Sequence, residues 1–109
     1  MVDLKLRSRQ WIVNKEGDIV MGEGRKKIFE TIAKTGSINK ASKELKMSYK
    51  GVWSRIRATE NHVNARLVKS EGKRGSCLTE EGKALLSKYS RLKAECVEAD
   101  DRIFQAIFR

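Results

Sequence analysis

The chain has 109 residues, which is the length of one small domain. Its 24 basic and 14 acidic side chains give a formal net charge of +10, and 39% of its residues are hydrophobic. No apolar run approaches the roughly 20 residues that span a bilayer, and residues 1–10 contain no signal-peptide core. Two cysteines are too few for a disulfide scaffold and fit a reducing compartment. We therefore expect a cytoplasmic domain without a membrane segment.

The positive charge is concentrated in the middle of the chain. Residues 22–75 hold fourteen basic and five acidic side chains, a net charge of +9, whereas residues 1–21 carry +1 and residues 76–109 are neutral. A solvated basic surface is the plainer explanation of a high total charge. The concentration in one segment instead favours a surface that binds a polyanion, of which nucleic acid is the first to consider.

Residues 4–21 are predicted to form a β-hairpin. Their first half partly alternates and ends in strand-prone residues, and a turn-forming cluster at residues 14–18 precedes a second apolar run. From Gly22 onward the apolar residues follow the period of a helix, which Gly36 is suited to end. The apolar stripe of this first helix is Ile28, Phe29, Ile32 and Ala33.

A helix-turn-helix is predicted over residues 37–62. Ser37 is a good N-cap for a short second helix that ends near Lys46 and Met47, and Ser48 is a good N-cap for a third helix that ends at His62. Because so few residues separate the two helices, their spacing is that of a helix-turn-helix. The third helix should pack on the first two through Tyr49, Val52, Ile56 and Val63.

The rest of the chain predicts a basic hairpin, or wing, at residues 67–78 and a long helix over residues 79–109 whose N-cap is Thr79. Glycines frame Lys73 and Arg74 at the tip of the wing. A helix of about 31 residues is about 46 Å long, and it exceeds a body of roughly 30 Å that the preceding residues would form. The helix therefore bends back or packs on another chain, and we favour a homodimer. Its apolar stripe contains Leu85, Tyr89, Leu92, Cys96, Ala99, Ile103 and Ala106, widened by Phe104, Ile107 and Phe108.

Polar side chains recur along the outer face of the third helix, at the spacing i, i+4, i+7 and i+11. They are Lys50, Ser54, Arg57 and Asn61, with Trp53 on the flank. Lysine and arginine pair with guanine, and asparagine with adenine, in the major groove. The first three residues of this ridge are therefore candidates for base contacts, and Asn61 is further from the helix N-terminus. Any surface helix shows a polar ridge, but this one lies in the basic segment between a tight turn and a basic hairpin.

Phosphate contacts are predicted at the helix N-termini and in the wing, because hydroxyl, amide, ammonium and backbone N–H groups are exposed there. The candidates are Ser37, Asn39, Lys40, Ser48, Lys73 and Arg74. For residues 25–27, at the start of the first helix, contact with phosphate and simple solvation are both open.

Four motifs carry a family resemblance: GEGR at residues 22–25, TGSINKA at 35–41, MSYKGVW at 47–53 and LTEEG at 78–82. Together they resemble the N-terminal DNA-binding domain of ModE-type molybdate-responsive regulators and, more loosely, the winged helix-turn-helix of LysR-type regulators. The resemblance implies a prokaryotic transcription regulator, mainly α with a small β component, that dimerises through its long last helix. The DNA-binding positions it carries over are Ser48, Tyr49, Lys50, Trp53, Ser54 and Arg57.

The sequence departs from the ModE-type pattern in two places. The wing, at residues 71–76, lacks a glycine run, and no molybdate-binding region follows the long helix. Molybdate sensing is therefore not carried over, and we expect no cofactor and no small-molecule effector.

Catalysis and metal binding find no support in the sequence. His62 is the single histidine, and the two cysteines lack the spacing of a metal site. We expect a domain at residues 1–78 that binds double-stranded DNA and a dimerisation helix at residues 79–109. The alternative is a winged-helix interaction module whose long apolar helix docks a partner protein.

Overall fold

A computed structural model describes residues 2–109. Met1, the first residue of the predicted domain 1–78, lies outside the described residues. The helices are α1 (Glu23–Thr35), α2 (Ile38–Glu44), α3 (Tyr49–Val63) and α4 (Glu80–Phe108). One antiparallel sheet pairs β1 (Ile12–Val13) with β2 (Ile19–Met21), and a second pairs β3 (Val68–Ser70) with β4 (Ser76–Leu78). A single turn of 3-10 helix, Gly72–Arg74, joins β3 to β4.

One hydrophobic core lies around α1, which contacts α2, α3, α4, β2 and β4. The predicted stripe of α1 is buried at Ile28, Phe29 and Ile32, but its fourth member, Ala33, is exposed. Thr31 is buried in its place, because its hydroxyl donates to the Lys27 carbonyl and needs no water. The core is completed by Met21, Ile38, Ala41, Val52, Ile56, Leu67, Val68, Leu78 and Tyr89.

The helix starts follow the predicted caps. The hydroxyl oxygens of Ser37, Ser48 and Thr79 accept from backbone N–H groups three residues later, at 3.1, 2.9 and 3.0 Å. Helix α1 ends at Gly36, whose φ of +70° suits a glycine. Between α2 and α3 the left-handed residue is instead Lys46, with a φ of +56°.

The N-terminal hairpin is shorter than predicted. Regular pairing is confined to β1 and β2, so residues 4–11 of the predicted strand are not part of a sheet. The segment finds no neighbouring strand among the described residues, and alternation alone does not supply one. The turn forms as predicted, because the Asn14 side-chain oxygen accepts from the backbone N–H groups of Glu16 and Asp18.

The wing is confirmed as a β-hairpin, and the backbone holds it against the helices. The Ser76 N–H donates to the Gly36 carbonyl at 2.9 Å, and a Cβ on Gly75 would overlap that same carbonyl. A Cβ on Gly82, in the first turn of α4, would likewise overlap the Leu67 carbonyl. These two glycines therefore allow the wing and α4 to approach the body closely.

Helix α4 forms as predicted, but its two halves have different surroundings. Its 29 residues span about 43 Å. In the first half Leu85 packs half-buried against the core, and Tyr89, only 1% exposed, donates its hydroxyl to the Gln10 carbonyl. The prediction that Tyr89 belongs to a dimer surface is therefore wrong, since it is covered by its own chain. In the second half apolar side chains are exposed.

The architecture confirms the predicted winged helix-turn-helix with an N-terminal hairpin and a long last helix. Within residues 2–109 no helix is both long and apolar enough to cross a membrane.

Candidate nucleic-acid interface

The outer face of α3 is polar and exposed along its whole length. All four ridge residues predicted on this face, Lys50, Ser54, Arg57 and Asn61, are exposed. We call them the α3 ridge. The opposite face is buried at Val52, Ile56 and Thr59, so the ridge is directed away from the core.

The prediction that Tyr49 packs on the first two helices is wrong, because its side chain is 49% exposed. Tyr49 is the first residue of α3. Its side chain instead lies beside Trp53, and its hydroxyl accepts from the Trp53 indole N–H at 3.0 Å.

Two polar anchors fix the orientation of α3. On the side of the N-terminal hairpin, the buried Thr59 hydroxyl donates to the Val20 carbonyl at 2.9 Å. On the side of the wing, the Glu60 carboxylate, 6% exposed, accepts from the N–H groups of Leu67 and Val68 at 2.8 and 3.3 Å. Because buried polar groups are costly when unpaired, these bonds resist rotation of the helix.

Arg57 has the most structured surroundings of the α3 ridge. Its guanidinium lies over the Trp53 ring, 4.9 Å from the ring centroid, and its Nη1 is 3.7 Å from Oε1 of Glu60. Lys50 has no comparable partner among the described ion pairs and hydrogen bonds, and the Ser54 hydroxyl donates to the Gly51 carbonyl within the helix.

The predicted phosphate-binding groups surround the two helix N-termini and the wing. Ser37 and Ser48 already accept backbone bonds as caps, which leaves each hydroxyl proton available to an outside acceptor. Asn39 and Lys40 are exposed in the first turn of α2. Lys73 and Arg74 are exposed on the 3-10 turn at the wing tip.

The structure adds two arginines to this surface. The Arg25 side chain, left open between two roles, donates from Nε to Thr59 Oγ1 at 3.2 Å, and burial followed by the nearby charge of Arg55 lowers the pKa of Arg25. Arg55 is exposed on α3 and donates to the Gly51 carbonyl. Sequence reasoning missed this pairing because Arg25 and Thr59 are 34 residues apart and no local pattern links them.

A separate apolar surface lies on α4 from residue 92 to the end of the helix. Leu92, Ile103 and Ile107 are 42%, 55% and 71% exposed. Phe104 stacks on Phe108 with ring centroids 4.8 Å apart, and Cys96 is half-buried. We call this surface the distal α4 face; its members are Leu92, Cys96, Ile103, Phe104, Ile107 and Phe108.

The side chains considered for catalysis or metal binding are dispersed. His62 Nδ1 lies 3.3 Å from the Asn14 amide nitrogen. Within residues 2–109 no group of three histidine, cysteine or acidic side chains is close enough to hold a metal ion.

The family model for bacterial regulatory helix-turn-helix proteins of the LysR family matches residues 25–83. Among curated relatives, the molybdenum transport protein ModE of Azotobacter vinelandii is 32% identical over 91 residues, which cover 80% of this chain and 34% of ModE. The HTH-type transcriptional regulator CzcR of Bacillus thuringiensis is 37% identical over 75 residues, which cover 69% of this chain and 25% of CzcR. The chain thus spans about a quarter to a third of the length of these relatives.

Among solved structures, the complex of the CbnR DNA-binding domain with DNA matches this fold with a TM-score of 0.64 at 26% identity. The match covers 80% of this chain and 99% of the CbnR domain. CzcR and CbnR are both described as transcriptional regulators. The matched residues 25–83 contain three of the four motifs, at residues 35–41, 47–53 and 78–82, and the resemblance they carry is confirmed. The chain belongs to the LysR family of bacterial regulatory helix-turn-helix proteins.

Proposed function

We propose that this chain is a sequence-specific DNA-binding module of a transcriptional regulator, with α3 as the recognition helix in the major groove. The observation that carries the proposal is the α3 ridge, a row of four exposed side chains that end in an ammonium, a hydroxyl, a guanidinium and an amide. The opposite face of the same helix is buried at Val52, Ile56 and Thr59. A helix fits the major groove of B-form DNA, where such groups read base edges. The CbnR domain, which has the same fold, was solved in complex with DNA.

Within this surface the proposed roles differ by position. Lys50, Ser54 and Arg57 contact base edges, with Tyr49 and Trp53 beside them. The caps Ser37 and Ser48, together with Asn39 and Lys40, contact phosphates, since they lie at the N-terminal ends of α2 and α3. Lys73 and Arg74 extend the contact to a neighbouring groove or to the backbone. Arg55 adds a further cation on α3.

We propose further that the chain acts as a homodimer joined through the distal α4 face. Isolated exposed apolar residues are ordinary on protein surfaces, but this face is continuous over several helical turns. A two-fold axis through it would present two recognition helices to two half-sites. In this arrangement residues up to 78 form the domain that contacts DNA, and residues 79–109 form the dimerisation helix. The first half of that helix also completes the hydrophobic core.

The relatives described as regulators support a role without catalysis, in the compartment that holds prokaryotic DNA, the cytoplasm. The ModE match does not extend molybdate binding to this chain, because the chain covers only 34% of ModE.

DNA binding can be tested by fluorescence anisotropy with a labelled duplex selected from a random pool by the protein, and with a scrambled duplex. We expect both duplexes to bind, and the selected duplex to bind more tightly. The logarithm of the association constant should fall linearly with the logarithm of the salt concentration, with a slope of about −0.9 for each phosphate contact. Lys50→Gln should weaken binding to the selected duplex more than Lys88→Gln, which removes the same charge from α4. A protein that binds neither duplex and shows no salt dependence would instead be a protein-interaction module.

A further inference from the structure

Three side chains on one flank of α3 contact one another in series, through one hydrogen bond and one stack of a guanidinium on a ring. They follow one another at the helical spacing i, i+4 and i+8: Tyr49 accepts from the Trp53 indole N–H at 3.0 Å, and the Trp53 ring lies under the Arg57 guanidinium at 4.9 Å. The first bond fixes the rotation of the indole, and the second contact is within the distance of a cation–π interaction. The orientation of Arg57 is thus determined two helical turns away, at Tyr49.

Glu60 completes the surroundings of Arg57 from the other side. Its Oε2 accepts from the backbone N–H groups of Leu67 and Val68, so the carboxylate is fixed by the first strand of the wing. Its Oε1 is buried and accepts no hydrogen bond from residues 2–109, and it lies 3.7 Å from Arg57 Nη1. A buried carboxylate oxygen directed at a cation attracts that cation more strongly than the same group in water does.

We propose that Trp53 and Glu60 are positioning residues that hold the Arg57 guanidinium flat against α3, so that Arg57 reads a base edge and does not drift to a phosphate. This inference rests on the proposed function, because it assigns roles within the DNA-reading surface. An unrestrained arginine reaches phosphates and base edges alike, whereas a guanidinium stacked on a ring presents its N–H edge in one plane. That planar edge is what a bidentate contact to guanine O6 and N7 requires.

Arg55 provides a comparison on the same helix. It carries the same guanidinium, but its Nη1 bonds to the Gly51 carbonyl of its own helix, and it has no cation–π contact among the described residues. Arg55 and Arg57 therefore carry the same charge but differ in how they are restrained, Arg55 by one backbone carbonyl and Arg57 by an aromatic ring and a carboxylate. If the restraint by the ring and the carboxylate sets the role, Arg57 discriminates between sequences, and Arg55 contributes mainly to binding strength on any DNA.

The stack can be tested first in the free protein, without DNA. In the NMR spectrum the Arg57 Nε–H proton should be displaced upfield by the indole ring current, and the Arg55 Nε–H proton should not. Trp53→Leu should abolish the displacement, and Tyr49→Phe should reduce it, since the indole loses its N–H acceptor but keeps a neighbouring ring. An Arg57 resonance that resembles that of Arg55 in the unmodified chain would overturn the proposal, whatever the result with DNA.

The second test uses the ratio of affinities for the selected and the scrambled duplex. Arg57→Gln should lower this ratio by about tenfold, whereas Arg55→Gln should lower both affinities and leave the ratio within about twofold. Trp53→Leu should lower the ratio by about threefold in the original chain and should have no further effect in the Arg57→Gln background. Equal effects of Trp53→Leu in both backgrounds would mean that the indole acts independently of Arg57, and would contradict the proposal.

Glu60→Gln keeps a side-chain oxygen for the Leu67 and Val68 N–H groups but removes the negative charge. We expect this variant to fold and to have an affinity ratio lowered by about threefold. Its affinity should also depend more steeply on salt, by up to about one released counterion, because an Arg57 that is no longer paired with Glu60 contacts a phosphate. If Trp53→Leu perturbs the core, the Glu60→Gln and Tyr49→Phe variants still test the proposal. An unchanged affinity ratio and an unchanged salt dependence in Glu60→Gln would show that Glu60 does not position Arg57. Failure of the original chain to bind either duplex would reject the proposed function, and the resonance of Arg57 would still decide whether the stack exists.

Discussion

Helix α3 and the second half of α4 both expose one face to solvent, but the two exposed faces have opposite chemistry. The outer face of α3 carries charged and amide groups while its inner face is fully buried at Val52 and Ile56. The second half of α4 instead exposes its apolar face, with Ile107 at 71%. Tyr89 and Ile107 are 18 residues, or about five helical turns, apart and therefore lie on the same face of α4. The body covers the first and leaves the second in solvent.

This difference indicates which partner each helix requires. Hydrated charges cost little to expose, so α3 is stable in water and gains from a polyanion that releases its counterions. Exposed apolar surface forgoes about 25 cal/mol for each Å² left in water. The distal α4 face would therefore gain from an apolar surface of matching length, which in the proposed homodimer would be a second copy of the same helix. The two surfaces should accordingly be separable by mutation.

The largest effect is expected from Leu92→Asp on the distal α4 face. Burying one leucine contributes about 1.5–3 kcal/mol, and a symmetric dimer loses it twice, so the dimer dissociation constant should rise at least about 100-fold. Sedimentation velocity and equilibrium measure this constant. Ala94→Asp adds the same carboxylate at an exposed position on the opposite side of α4 and should leave the dimer intact. A Leu92→Asp protein that stays dimeric would place the dimer contact elsewhere.

The close approach of α4 to the chain between α3 and β3 should be broken by Gly82→Ala. A Cβ at this position overlaps the Leu67 carbonyl, so α4 must move away from the wing strand. We expect the free energy of unfolding to fall by about 2–4 kcal/mol, measured by urea denaturation. Gly24→Ala is the matched control, because its Cβ would meet open space in the first turn of α1 and should stabilise the chain slightly. Similar stability of the two variants would show that this close approach is not required.

The turn that precedes α3 offers a substitution that should stabilise the chain and that makes no change in α4. Lys46 has a left-handed backbone, which costs a lysine about 1 kcal/mol relative to glycine. Lys46→Gly should therefore raise the free energy of unfolding by up to about 1 kcal/mol, while Lys43→Gly, inside α2, should lower it by about 1 kcal/mol. Thermal and urea unfolding of both variants check the opposite signs. A loss of stability in Lys46→Gly would mean that the lysine side chain outweighs its backbone strain.

The smallest effect concerns the ion pair that links α1 to α4. Glu23 Oε1 lies 2.7 Å from Lys93 Nζ, and this hydrogen bond holds the pKa of Glu23 below its ordinary value of 4.5. A carboxyl group whose pKa falls on folding stabilises the folded state above the unfolded pKa, and this stabilisation disappears as the pH drops through the folded pKa. We expect at most about 1 kcal/mol for this partly exposed pair, lost below about pH 4.5.

Urea denaturation between pH 7 and pH 3 measures this contribution. Lys93→Met should remove part of the acid dependence in the chain with Glu23 and none in a Glu23→Gln background. If Lys93→Met had the same effect in both backgrounds, the acid dependence would come from other carboxyl groups.

Local signals in the sequence predicted much of the fold. A serine or threonine just before a run of apolar residues at helical spacing predicted where α2, α3 and α4 begin, and Gly36 predicted where α1 ends. These predictions succeed because a capping residue acts within one helical turn. The α3 ridge followed from the same periodicity. The wing followed from glycines that frame basic residues.

The features that the sequence did not predict depend on distant pairs. The stripe of α4 has one period along its length, so it could not distinguish Tyr89, covered by the body, from Ile107, left exposed. The burial of Glu60 depends on N–H groups seven and eight residues away across a turn. The short hairpin reflects a missing neighbour strand, which alternation cannot reveal. Periodicity identifies a face, but tertiary contacts determine what covers it.

Helix α4 is attached to the body along its first half, where Tyr89 is buried and Lys93 pairs with Glu23 of α1. The residues from 94 to 108 extend about 22 Å beyond that attachment, so a rotation of one degree there displaces the far end of the helix by about 0.4 Å. In a dimer joined at that far end, a rotation of about ten degrees would shift each recognition helix relative to the dimer contact by several ångströms. In such a dimer the accepted spacing of half-sites would depend on the contact between α1 and α4, and it could vary while the bases read by α3 stay the same.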